Sequence, residues 1–409
     1  MKEELFSAHE AGGKWRQRLS YATRPSATRV IHAKRAAREA PHIPALDGWR
    51  GIAIALVVVA HAVSPLYQAG ALPEWAVRVV YLGGHGVGLF FGLSGFLICT
   101  RLLHERRATG RIAVREFYVR RGFRILPPAL AYLAVVGALG ALGVLPVHPR
   151  EWGAALLFFR NYVPVFFPEG AGRYTGHFWS LAVEEHFYLL LPILLACGRV
   201  WGLTRVLCVA AAAVGVWRAL DADHGWGAHW LGLEPYTAAY RTDVRLDALL
   251  WGAAMGALLH DARWRARAAR LLRPAVWGCV AAGYAALVAL SWPGHLWGAV
   301  LVPAVLAGTV LHPHARAARV LGWAPLRWLG RISYSLYLWH ILFMPQLAEG
   351  APLGALQQLP LNVVCALLVA VASHRWVERP AIRLGARVAA RPARPVPPPV
   401  SPRFATWWG

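Results

Sequence analysis

The sequence predicts an all-α fold: a polytopic helical membrane protein of about ten transmembrane helices plus one re-entrant or interfacial helix. Three observations predict it. Hydrophobic residues make up 57% of the 409 and mean hydropathy is positive, which is not the balance of a soluble globular chain. The apolar residues gather in runs of about 20, the length a helix needs to cross a ~30 Å hydrocarbon layer. Arginine-rich and arginine-poor loops alternate between the runs, as the positive-inside rule requires.

Lys and Arg number 43 against 20 Asp and Glu, a formal charge of +23. In a soluble chain that excess would suggest nucleic acid. Here the arginines cluster between apolar runs, so they read as determinants of orientation in a lipid bilayer, and no nucleic-acid partner is expected. The five cysteines, Cys99, Cys197, Cys208, Cys279 and Cys365, lie within or at the ends of apolar runs and form no CxxC pair. Neither a metal site nor a disulfide framework is signalled.

Residues 1–45 form a basic tail, and the first run, from Gly51, is too far in and too long for a cleaved signal peptide. Runs able to span follow at about 51–69, 79–100, 125–146, 177–197, 201–219, 243–259, 274–292, 295–312, 331–348 and 355–377. The weaker run 151–167 holds Arg160 and Asn161 at its centre. Counting it as a crossing would place the later arginine-rich loops outside, so it is expected not to cross. Ten spans then leave both termini cytoplasmic, in the inner (cytoplasmic) membrane. Residues 46–384 form the membrane domain, and 385–409 a Pro/Arg-rich tail without regular structure. No outer loop exceeds about thirty residues, too few for a soluble domain.

The first run opens LDGWRGIAIALVVVAH. Arg50 and His61 are eleven positions apart, about three helical turns and ~16 Å of rise, so both share one face. Arg50 sits at the water boundary and His61 near mid-membrane. An ionisable group at that depth is a functional candidate, the alternative being a histidine that glues two helices together. The second run, GGHGVGLFFGLSGFLICTRLL, is rich in small residues; Gly92 and Gly95 read as helix packing, and His85 as packing or cavity.

Next, REFYVRRGFRILPP places Arg121 and Arg124 on one helical face. They read as positive-inside anchors or as a clamp for phosphate or carboxylate, which the guanidinium fork suits. GHFWSLAVEEHFYLLLP then carries Glu184, Glu185 and His186 into the membrane. A buried Glu can act as a base or orient a histidine. Tyr174, His177 and Trp179 read as an interfacial belt. YRTDVRLDALLWG, with Arg241, Asp243, Arg245 and Asp247, reads as an ion-pair network or a substrate site. RISYSLYLWHILF places His340 nine residues after Arg331, repeating the Arg50–His61 arrangement, so two helices bring histidines to similar depth.

Taken in order, LDGWRG with His61, VGLFFGLSGFLI, the Arg121–Arg124 pair of RRGFR, FWSLAVEEHFYLLLP, RLDALLWG, LGRISYSLYLWH and WVERPAIRLG resemble the acyltransferase-3 family of integral membrane acyltransferases. The resemblance covers Leu46 to Leu384, and the family's ten-helix architecture matches the count above. Gly88 departs from it, since many members carry an acid there. Only a short Pro/Arg-rich stretch follows the last run, so the hydrolase-like domain appended in some relatives is not expected.

The resemblance implies transfer of an acyl group, commonly acetyl, from cytoplasmic acyl-CoA to a hydroxyl of an envelope glycan, lipid-linked sugar or glycosylated small molecule. No bound cofactor is expected; acyl-CoA (acetyl-CoA above all) is the co-substrate. His61, Glu184 and Glu185 are the catalytic candidates, with His61 as general base or transient acyl carrier. Arg50, Arg121 and Arg124 are the donor-binding candidates. His85, Trp179, Ser180, Asp247, Ser333, Tyr337 and His340 are candidates for the acceptor or its cavity. The competing class is a transporter or flippase, because intramembrane His, Glu and Arg also mark proton relays, although no inverted repeat is visible. A membrane sensor would leave the buried charges unexplained.

Overall fold

The computed structural model describes residues 43–68, 70, 73–163, 172–197, 202–231, 239–290, 295–344 and 350–390. The basic segment 1–42 and the Pro/Arg-rich stretch from 391 lie outside the described residues. The described chain is helical: α1 (Pro44–Gln68), α2 (Glu74–Thr109), α3 (Val114–Ala141), α4 (Pro149–Leu156), α5 (Phe178–Cys197), α6 (Leu203–His224), α7 (Trp226–Leu231), α8 (Thr242–His260), α9 (Ala262–Leu271), α10 (Pro274–Ala289), α11 (His295–Leu311), α12 (Arg316–Leu321), α13 (Ala324–Phe343), α14 (Leu361–Ser373) and α15 (Arg379–Ala390). A helical turn, Arg173–Gly176, leads into α5, and a π-turn, His374–Glu378, joins α14 to α15.

The expectation of about ten spans is corrected by this structure. Among the described residues six helical stretches are long and apolar enough to cross a membrane: Pro44–Tyr67, Val77–Thr109, Val114–Ala141, Arg173–Ala196, Leu203–His224 and Leu361–Ala390. A seventh arises if α9 and α10, bent by 75°, count as one crossing. The runs at 243–259, 295–312 and 331–348 do not qualify, each for its own reason. Helix α8 carries Asp243, Arg245 and Asp247 in its first two turns. Helix α11 has only 17 residues. Helix α13 carries two arginines in its first half and, beyond them, serines, tyrosines and a histidine that pack into the bundle, with Ser333, Ser335 and His340 fully buried. A count of apolar runs treats these as spans because it cannot see polar groups that face protein. Multiple long apolar helices nonetheless make this a multi-pass membrane protein.

Helix α4, inside the weak run 151–167, has eight residues and at ~1.5 Å per residue is too short to cross. Helix α15 continues to Ala390, six residues into the segment expected to be tail. It buries Gly385 and Ala389, and a Cβ on Gly385 would meet the Phe123 ring of α3.

Several helix pairs bring backbone against backbone, two of them beside the candidate site. A methyl group on Gly95 of α2 would overlap the Leu249 carbonyl of α8, which fulfils the packing role expected of that glycine. On α1 and α13, a Cβ at Gly330 would overlap the Asp47 carbonyl, and one at Gly51 the Leu326 carbonyl. Such closeness is what small residues permit in membrane helices. Replacing Gly330 with Ala forces α13 away from α1 and should cost about 1–3 kcal/mol of stability, the range for overpacking. Thermal unfolding of the purified protein in detergent reads this; a variant melting with wild type would contradict the close approach.

Candidate active site

Helix α1 delivers His61 to a cavity of about 460 Å³, whose lining includes Ser64, His85, Arg173, His177, Trp179, Arg218, Tyr240, Arg245, Asp247, Tyr284 and Tyr337. His61 Nδ1 lies 2.8 Å from the Val57 carbonyl oxygen, one turn back on its own helix. A carbonyl only accepts, so Nδ1 carries the proton and Nε2 is left as the basic nitrogen. His340 repeats the arrangement on α13, with Nδ1 donating to the Tyr337 carbonyl at 2.8 Å. The two rings meet edge to face at 5.0 Å between centroids, and His177 stands 5.8 Å from His340. His340 is fully buried behind His61 and does not line the cavity.

A narrower cleft of about 80 Å³ adjoins the cavity, sharing Val87, Phe91 and Tyr337 with it. Its polar lining comprises Arg50, Ser94, Ser180, Glu184, Ser333 and Tyr334 besides Tyr337. Tyr337 is the shared wall: its hydroxyl is 2.6 Å from Ser180 Oγ and donates to the His177 carbonyl at 2.9 Å. Arg50 Nε and Ser333 Oγ are buried without a hydrogen-bond partner among the described residues. Buried polar atoms in that state are costly unless something occupies the space they face.

Glu184 and Glu185 do not reach His61. The Glu184 carboxylate accepts from Ser94 Oγ at 3.1 Å and from Tyr188 Oη at 3.0 Å. Arg121 lies 3.1 Å from Glu185 and 3.6 Å from Glu184, with its guanidinium 3.3 Å over the Tyr188 ring. The His61 imidazole is therefore oriented by a backbone carbonyl, and the two carboxylates hold the Arg121 cation. Arg124 is an electrostatic neighbour of Arg50, whereas Arg121, Arg124 and Glu185 line neither cavity.

The remaining sequence candidates divide between the two spaces. His85, Trp179 and Asp247 line the larger cavity, with His85 6.3 Å from the Tyr284 ring. Ser180 and Ser333 line the cleft. Glu378 of the WVERP motif is buried and accepts from Ser335 Oγ at 2.7 Å, bracing the π-turn against α13. His186 bonds Thr242 Oγ1 at 2.7 Å, away from the site.

Charges near the mouth of the larger cavity form two separate groups. Arg241 is fully buried between Asp221, at 2.8 Å, and Asp243, at 2.6 Å, tying α6 to α8. Arg218 makes a two-point contact with Asp247, at 2.8 and 3.0 Å. Arg160 is likewise buried, donating to the Val163 and Gly172 carbonyls and lying 3.9 Å from Glu151. Burial brings Arg160 down to about 10 and pushes Glu151 up, each shift offset in part by the other residue's charge.

Sequence reasoning missed His177, Arg173, Arg218, Tyr240 and Tyr284 as cavity residues, and assigned His177 to an interfacial belt. A signal for His177 existed. His177, Ser180, Glu184 and Tyr188 recur at intervals of three and four, a polar stripe on one face of α5. The others lie on α6, α10 and the segments before α5 and α8, where spacing within one helix carries no information.

Known proteins bear on this geometry. The chain is 25% identical over 367 residues to the peptidoglycan O-acetyltransferase OatA of Listeria monocytogenes, covering 83% of this chain and 56% of that protein. It is 27% identical over 363 residues to the putative peptidoglycan O-acetyltransferase YrhL of Bacillus subtilis, covering 83% and 55%. A putative O-acetyltransferase of Staphylococcus aureus strain COL is 24% identical over 374 residues, covering 83% and 57%. The chain thus spans little more than half the length of these relatives. No solved structure matches it. The acyltransferase domain that defines the acyltransferase-3 family matches residues 43–373, a stretch containing the lining of both cavities, and on that match the chain belongs to the acyltransferase-3 family of membrane acyltransferases.

Proposed function

We propose that this protein transfers an acyl group, acetyl in the first instance, from cytoplasmic acyl-CoA to a hydroxyl of a cell-envelope sugar, lipid-linked glycan or glycosylated small molecule. The observation that carries this reading is His61, with Nδ1 committed to Val57, on the wall of a cavity that adjoins the cleft holding Arg50. The similarity to O-acetyltransferases supports the acetyl group. The arginine-rich ends of α2, α3 and α9 support a cytoplasmic placement for the cleft's end of the bundle, within the inner membrane. Both ends of the helical domain, before α1 and beyond α15, belong on that side.

In this reading the thioester arm of the donor lies in the cleft. Arg50 and Ser333, whose Nε and Oγ have no protein partner among the described residues, supply donors toward it. Arg50 and its neighbour Arg124 hold the donor's phosphates, and Arg121, paired with Glu184 and Glu185, fixes the wall beside them. The acceptor occupies the larger cavity. His61 Nε2 takes the proton of the acceptor hydroxyl as its oxygen attacks the thioester carbonyl. The carbon–sulfur bond breaks, and the CoA thiolate receives a proton as it leaves.

The test is release of free thiol from acetyl-CoA by the purified, lipid-reconstituted protein, together with acetylated acceptor detected by mass spectrometry. An intact thioester in the presence of transported acceptor would assign the chain to transport instead. Arg124→Ala is expected to raise KM for acetyl-CoA about tenfold to a hundredfold, since a charge-assisted bond contributes roughly 1.5–3 kcal/mol. Lys at the same position should restore it in part, lacking the fork. An unchanged KM would remove Arg124 from the donor site.

A further inference from the structure

The lining of the larger cavity is cationic in a way that the transfer chemistry does not use. Three arginines, Arg173, Arg218 and Arg245, face one carboxylate, Asp247. That carboxylate is already committed, gripped at two points by Arg218. Arg245 donates through Nε to the Ala239 carbonyl at 2.6 Å. Among the described residues no carboxylate lies within ion-pair distance of it. Its nearest ring neighbours are Trp179, with the guanidinium carbon 5.5 Å from the ring centroid, and Tyr240, at 6.0 Å. Trp179 and Tyr240 meet at 4.8 Å between centroids, so a flat aromatic corner stands beside the fork. A half-buried guanidinium with no carboxylate of its own has a fork suited to a two-point contact with an oxyanion. Aromatic faces next to it suit the apolar face of a sugar ring.

We infer that Arg245, seated beside Trp179 and Tyr240, is an anion subsite, and that the acceptor is a glycoside carrying a carboxylate or phosphate close to the hydroxyl that is modified. This rests on the reading of the larger cavity as the acceptor site. Trp179 and Tyr240 hold the sugar ring, Arg245 takes the oxyanion, and the acceptor hydroxyl is thereby turned toward His61. Donor phosphates are excluded from this role, because they belong at the cleft's end of the bundle with Arg50 and Arg124.

Binding and transfer are measured separately on the full chain in lipid nanodiscs. Calorimetry with methyl glucuronoside, a methyl glycoside phosphate and neutral methyl glucoside reads the subsite without any turnover. Either or both anionic probes should bind at least tenfold more tightly than the neutral one, and which of them does so separates carboxylate from phosphate. Arg245→Gln should remove that preference while leaving the neutral glycoside unchanged; Arg245→Lys should keep part of it. In the thiol-release assay Arg245→Gln should raise KM for an anionic acceptor and leave KM for acetyl-CoA as it was. Equal affinity for all three probes on the wild-type protein would overturn the inference, whatever the variants do. So would a rise in KM for acetyl-CoA alone. Anion-selective binding without thiol release would leave the subsite standing and remove the acyltransferase reading, so the two failures are distinct.

Discussion

Asn at position 61 is expected to abolish acetyl transfer while the protein stays folded and inserted. The imidazole of His61 contributes one hydrogen bond to its own helix, Nδ1 to the Val57 carbonyl, and an Asn amide can still donate a bond of that kind. What Asn cannot do is accept a proton near neutral pH. General base catalysis typically contributes ~10²–10⁴-fold, and loss of an acyl carrier would cost more. The measurement is thiol release from acetyl-CoA at matched expression and matched melting temperature. His340→Asn should be milder, because His340 stands behind His61 and does not line the cavity. A fully active His61→Asn protein would leave the proposed mechanism without its base.

Substituting Met for Arg121 should damage stability before it damages kinetics. The guanidinium sits between Glu184 and Glu185 over the face of Tyr188, and the side chains of all three charged residues are at most 20% exposed. Removing the cation strands two largely buried carboxylates, and breaking a buried pair from one side costs roughly 3–5 kcal/mol. Adding Glu184→Gln and Glu185→Gln to Arg121→Met removes the stranded charges and should recover most of the lost melting temperature. If Arg121→Met alone melted with the wild type, the ion-pair account of this residue would be wrong.

These two residues mark where the sequence was legible and where it was not. Arg50 and His61 share a face because eleven residues make about three turns, and that arithmetic needs no partner. His340 was picked out in a similar way, as a histidine nine residues past Arg331 and deep in an apolar run. Arg121 was read with Arg124 as one clamp because helical spacing places both on the same side. Spacing within one helix cannot say that Glu184 and Glu185 of a different helix come to meet Arg121 and not Arg124. The number of crossings failed for a related reason. Hydropathy weighs Asp243, Arg245 and Asp247, or Ser333 and His340, by composition, whereas their cost depends on whether they face a neighbouring helix or lipid. His177 was hidden by its neighbours: beside Tyr174 and Trp179 it looked interfacial, although it heads the polar stripe of α5.

The glycine contact between α1 and α13 bears on how finely this site is set. His61 lies ten residues beyond Gly51, and His340 ten residues beyond Gly330. The two helices therefore run in the same direction from a common pivot, and each carries its imidazole ~15 Å along. The pair is laid out like a calliper, with the glycine contact at one end and the two rings at the other. Over an arm of ~15 Å, a change of about 5° in the angle between the helices would move the tips apart by roughly 1.3 Å. The position of the His61 ring thus depends on the absence of a side chain some ten residues away.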